Sequence, residues 1–157
     1  MSKKSYNMDD APITICGVIW MQVFPVGYPG DLLDRILLDG GSFEAHFAYR
    51  VAKYGAEDPQ SYLSTFQEKQ LNPVRLPSQQ KPDKSISTYS TSLSVCKDRM
   101  TDYCHLSMRN YPRATVVEGK TEPVCGPSKL NSKTGHVDWW LFADAKPWLY
   151  FRETRLI

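Results

Sequence analysis

Ser42-Phe43-Glu44-Ala45-His46-Phe47-Ala48-Tyr49-Arg50-Val51-Ala52-Lys53 alternates along its length. Phe43, Ala45, Phe47, Tyr49 and Val51 fall on one side; Glu44, His46, Ala48, Arg50 and Ala52 fall on the other. Successive side chains of a strand point to opposite faces, so this pattern predicts a strand with one buried and one wet face. It anchors the fold class: α+β, a mostly antiparallel β-sheet with two packed α-helices in a single domain.

Just upstream, Leu32, Leu33, Ile36 and Leu37 make one apolar helical face. Asp31 stands where a carboxylate can cap the first turn, and Gly40-Gly41 supplies the stop. Pro25 to Gly30 is a tight connection. Before it, Ile13–Phe24 is β-branched, aromatic and apolar on both faces, which predicts a central strand covered on both sides. Gly17 inside it marks a bulge or a close backbone approach. Residues 1–12 read as a flexible polar tail and 13–157 as the domain.

Downstream, Asp58-Pro59 opens a second helix, with Tyr62, Leu63 and Phe66 as its buried face. The segment 72–85 carries Pro73, Pro77 and Pro82 among polar residues and is expected to be extended and mobile. Ile86–Cys96, Tyr103–Met108 and Ala114–Val117 read as further strands, and 119–135 as a loop. The C-terminal part is loaded with aromatics: Trp139, Trp140 and Phe142, then Trp148, Tyr150 and Phe151. A closing hairpin of His136–Phe142 and Trp148–Leu156 is the expectation.

The chain has 157 residues, 41% hydrophobic and 23% charged, which suits one globular domain. A net charge of +2 excludes a polybasic or polyacidic protein. The charge is uneven: residues 1–60 hold 5 basic and 8 acidic residues, and 61–157 hold 14 basic and 9 acidic. A basic second half can meet an acidic partner. The start, Met1-Ser2-Lys3-Lys4-Ser5, is not followed by an apolar run, so no signal peptide is expected. The expected location is cytosolic or nuclear, with Cys16, Cys96, Cys104 and Cys125 as free thiols.

No phosphate-binding glycine loop, zinc-protease helix or nucleophile elbow is present. No catalytic residue, cofactor or small-molecule substrate is expected. Cys96, Cys104, His105 and Cys125 can be drawn as a zinc set, but the spacing has no two-residue knuckle, and no metal is expected. Lys97, Arg99, Arg109 and Arg113 cluster with Tyr103 and Tyr111 between them. Cations neutralise phosphates and aromatics stack on unpaired bases, so these four are candidate partner-binding residues. Trp139, Trp140, Trp148 and Tyr150 are candidates for self-association, because Trp and Tyr bury area and keep a polar tip.

The layout resembles that of the rhabdovirus matrix proteins, the small plant-infecting (cytorhabdovirus-like) forms above all. A short tail carries Lys3-Lys4; an apolar strand (Ile13–Phe24) leads to a helix (Asp31–Leu38) and an alternating strand (Phe43–Val51). A Pro/Ser loop breaks the middle, and a strand pair ends the chain. No PPxY or PTAP-like motif accompanies this layout; Asn110-Tyr111-Pro112-Arg113 is not one. The resemblance implies a non-enzymatic protein that forms homo-oligomers, binds a nucleoprotein–RNA complex and lines an anionic membrane surface. Lys3 and Lys4, with the four cations above, would then face the acidic partners. Two other readings stand beside it: a small nucleic-acid-binding or host-suppressor module, and a small Cys/His enzyme.

Overall fold

The structure, a computed structural model, describes residues 12–15, 18–21, 23–71 and 85–154. Lys3, Lys4, Cys16 and all but the last residue of the 72–85 segment lie outside the described residues.

Six strands form one antiparallel sheet: β3 (Phe47–Ala52), β4 (Thr91–Ser94), β5 (Thr115–Lys120), β6 (Ser128–Leu130), β7 (His136–Trp139) and β8 (Phe151–Glu153). Their order is β6-β7-β4-β3-β5-β8. The alternating stretch is therefore a central strand, and it pairs with β5 from Phe47↔Lys120 to Ala52↔Thr115. Its faces differ from the expectation. Ala48 and Ala52, read as wet, are fully buried with Leu93, Val117, Val137, Trp139 and Phe151. Val51 and Tyr49 lie on the other face, beneath a helix. Both faces are covered, and Phe43 and Phe47 remain exposed.

That helix is α3 (Lys97–Ser107), in a stretch partly read as a strand. Cys96 caps it by accepting the Arg99 N–H on its sulfur, and Asp98 and His105 suit the two ends of the helix dipole. Of its side chains only Cys104 is fully buried, packed with Val51, Ala114 and Val116. So weak an apolar stripe leaves little helical period to read.

α1 (Leu32–Leu38) forms where the leucines predict it. Asp31 occupies the cap position, but its side chain makes no capping hydrogen bond; it lies 4.0 Å from Arg35 instead. The stop is as read: Gly40 takes φ +96°, and the Gly41 N–H donates back to the Ile36 carbonyl at 2.8 Å. Leu32 and Ile36 pack on Trp140, with Phe24, Tyr28, Ile86 and Tyr89 around them. After Asp58, which accepts the Gln60 N–H, the chain makes a 3-10 turn (Pro59–Tyr62), and α2 (Thr65–Leu71) follows.

Ile13–Phe24 is not a central strand. β1 (Pro12–Ile15) and β2 (Val18–Met21) pair only with each other, from Pro12↔Met21 to Ile15↔Val18. The expected bulge or close approach at Gly17 lies outside the described residues.

The closing hairpin is also corrected. β7 pairs with β4 and β6, whereas β8 pairs with β5 at one edge of the sheet. The aromatics hold this arrangement from inside. Trp139 meets Phe151 at 5.4 Å between ring centroids, and Tyr62 meets Phe151 at 6.1 Å. Each such pair adds about 0.5–1.5 kcal/mol beyond its buried area.

Candidate functional site

β3 and β4 share a single register pair, Tyr49↔Ser94, and then part. Arg50 fills the gap. Its Nε donates to the Ser61 carbonyl at 2.8 Å, one terminal nitrogen to Ser92 at 2.6 Å, and the other to Leu63 at 3.4 Å. A planar guanidinium offers five N–H groups, so among the described residues two stay without a protein acceptor. Burial lowers the Arg50 pKa, and the negative charge of Glu68 works against that. A guanidinium nevertheless stays charged in a protein.

Above Arg50 opens a cleft of about 290 Å³ between α2 and α3. Lys53, Arg99 and His136 stand on its walls with Arg50, and Glu68 is the carboxylate among them. Lys53 Nζ lies 3.8 Å from Glu68 and 5.1 Å from the centre of the Tyr111 ring. Arg99 donates to the Thr134 carbonyl at 3.1 Å and keeps an exposed position. Tyr103, one helical turn on and half exposed, shares its side of α3.

His136 sits on the far wall, with Nε2 3.0 Å from Asp138 Oδ1. That hydrogen bond raises the His136 pKa against the opposing effect of burial. Ser90 Oγ lies 2.7 Å from Asp138 Oδ1 and 2.8 Å from the Ser87 carbonyl oxygen, so its one proton goes to one of these oxygens rather than to the imidazole. The group therefore orients a histidine; it does not present a serine nucleophile to a base.

The structure divides the predicted basic cluster. Arg99 lines the cleft; Lys97 lies beside it in the first turn of α3. Arg109 and Arg113 follow the other end of this 11-residue helix, about 16 Å away at 1.5 Å per residue. Arg113 there faces Asp58 at 3.6 Å. Arg50, Lys53 and His136 were not singled out as binding residues. Arg50 did carry a signal: a cation in the Ala48–Arg50–Ala52 row of a strand that proves central.

The predicted association residues divide as well. Trp139 and Trp140 are fully buried and donate their indole N–H groups to the Gly126 and Ile86 carbonyls, so they belong to the core and not to a contact surface. Trp148 is half-buried against the same core. Tyr150 is at the surface, where it lines a shallow groove beside β8 with Phe47 and Leu149. Glu118, Lys120, Glu122 and Arg152 surround that groove with both signs of charge.

Among the described residues the thiols do not converge. Cys104 and Cys125 are buried on opposite faces of the sheet, and Cys96 caps α3. Burial pushes the Cys125 thiol up to about 12, and also raises Cys104. Among the described residues no three His, Cys, Asp or Glu side chains are grouped to hold a metal ion, and no helix is long and apolar enough to cross a membrane.

The class defined is thus an α+β domain with a six-stranded antiparallel sheet and a basic cleft at a parting of its central strands. Compared with protein-family models, curated proteins and solved structures, the chain matches none.

Proposed function

We propose that the chain is a non-enzymatic interaction protein that docks an acidic partner in the β3/β4 cleft and self-associates along its β8 side. The observation that carries the reading is the gathering of Arg50, Lys53, Arg99 and His136 around one cleft with Glu68. Field lines concentrate in a cleft lined mainly by one sign of charge, so an anion is drawn there more strongly than to scattered surface lysines. Burial of Cys104 and Cys125, with their raised pKa values, argues for structural thiols rather than nucleophiles.

Self-association is assigned to the groove of Phe47, Leu149 and Tyr150. β8 is an outer strand, and a second copy bearing the same mixed charges can cover it. The matrix-protein resemblance agrees with these two faces, one turned to a nucleoprotein–RNA complex or membrane and one to further copies.

Sedimentation velocity across protein concentration, with and without heparin, tests both parts. Species that grow with concentration support association, and Tyr150→Ala should shift them toward monomer. Heparin binding that disappears in Arg99→Glu supports the cleft. A concentration-independent monomer indifferent to heparin overturns the reading.

A further inference from the structure

The cleft does not end at Glu68. A second pocket of about 210 Å³ adjoins it and shares Lys53, Leu63 and Glu68 as a common wall. Each half holds tyrosine and a cation. In the first, Tyr103 stands half exposed beside Arg50 and Arg99. In the second, Tyr54 and Tyr111 meet edge to face at 5.6 Å, and Lys53 lies over the Tyr111 ring. The pattern along the groove is aromatic, cation, aromatic, with Lys53 at the junction.

We infer that this double groove binds single-stranded nucleic acid, one nucleotide to each half, with the linking phosphate at Lys53. The inference rests on the acidic-partner reading of the same cleft and names the partner. An unpaired strand repeats a flat ring and a phosphate, and its recognition without sequence preference uses stacking platforms beside cations. A membrane surface would need its cations on a convex or flat face; here Arg50 lies at the floor of a gap between strands, where a planar headgroup layer does not reach. Exposed Arg99 suits a phosphate at the mouth of the first half, and the charge of Arg50 at the floor adds to its attraction. Glu68 opposes the ligand: it occupies Lys53 at 3.8 Å and has to give that cation up when a phosphate arrives.

That conflict makes the proposal testable in both directions. A short fluorescein-labelled oligouridylate is titrated with the full chain by anisotropy, at low and physiological salt. Vesicles of phosphatidylcholine with phosphatidylserine form the second arm. Arg99→Glu should weaken oligouridylate binding about tenfold or more and flatten its salt dependence. Tyr103→Ala should weaken it about tenfold, and Tyr103→Phe should not, because stacking needs the ring and not the hydroxyl. Glu68→Gln should tighten it. Thermal melts confirm that each variant is folded.

Loss of oligouridylate binding in Arg99→Glu without any effect of Tyr103→Ala overturns the inference, leaving bare phosphate docking. Vesicle binding that depends on Arg99, with no oligouridylate binding, overturns it too while the acidic-partner reading stands. If neither probe distinguishes the parent chain from Arg99→Glu, both fall.

Discussion

The Arg50 guanidinium donates to the Ser92 carbonyl at 2.6 Å, across the place where β3 and β4 stop pairing. A side chain thus replaces the missing ladder bonds of two central strands and carries charge to the floor of the cleft. The same group also ties the turn at Ser61 and Leu63 to the sheet.

Arg50→Met should therefore destabilise the fold by about 2–3 kcal/mol, since it strips three carbonyls of a charged donor. Arg50→Lys should recover only a minor part, because an ammonium cannot reproduce the planar fork. Urea midpoints measure this; equal stability of all three chains would show that solvent replaces the guanidinium.

The buried and exposed aromatics should separate cleanly. Trp140, 1% exposed and packed on Leu32 and Ile36, should cost about 3–5 kcal/mol when changed to Ala. Tyr150, 38% exposed, should cost less than about 1 kcal/mol on the same change, while lowering self-association. Denaturant melts and sedimentation of the two variants check the contrast.

His136 should make stability depend on pH near neutrality. Its pKa is raised in the folded chain by the hydrogen bond to Asp138. A raised pKa means the folded state holds the proton more tightly. The resulting stabilisation is full below the ordinary histidine value of about 6.5, and is lost as pH rises through the folded value. Lys53, Glu68 and Arg99 line the same cleft. His136→Gln should remove this slope. An unchanged profile, or an imidazole that titrates below its ordinary value by NMR, would contradict the assignment.

Thiol accessibility should follow burial. Cys104 and Cys125, 0% and 2% exposed, should be alkylated only on unfolding, whereas half-buried Cys96 should react in the native state. Peptide mass mapping after brief treatment with iodoacetamide reads each site. Rapid labelling of Cys125 in the folded chain would show that its cluster opens.

Much of the fold was legible wherever one element carried its own signal. The leucine face of α1 and its Gly40-Gly41 stop depend on neighbours within a few residues, and the period-two pattern around Tyr49 likewise identifies a strand. α3 was not legible, because it buries Cys104 alone and presents Tyr103 and Leu106 outward, so its apolar residues keep no helical spacing toward the core. The site was legible only in part. Arg99 was singled out as a cation beside a tyrosine, but Lys97, which stands beside the cleft without lining it, came with it, as did Arg109 and Arg113, which follow the far end of the helix.

By itself, then, the sequence determined an α+β domain of ordinary composition, the span of α1 and the presence of an alternating strand. Which face of that strand is wet, which aromatics are core, and which cations share a cleft were decided by tertiary structure alone. The physical reason is pairing between distant segments. Covering both faces of β3 puts Ala52 in the core, pairing of β4 with β7 brings His136 to the cleft, and the parting of β3 from β4 leaves the gap that Arg50 fills. None of these partners is a neighbour in the chain, so no local period or spacing records them.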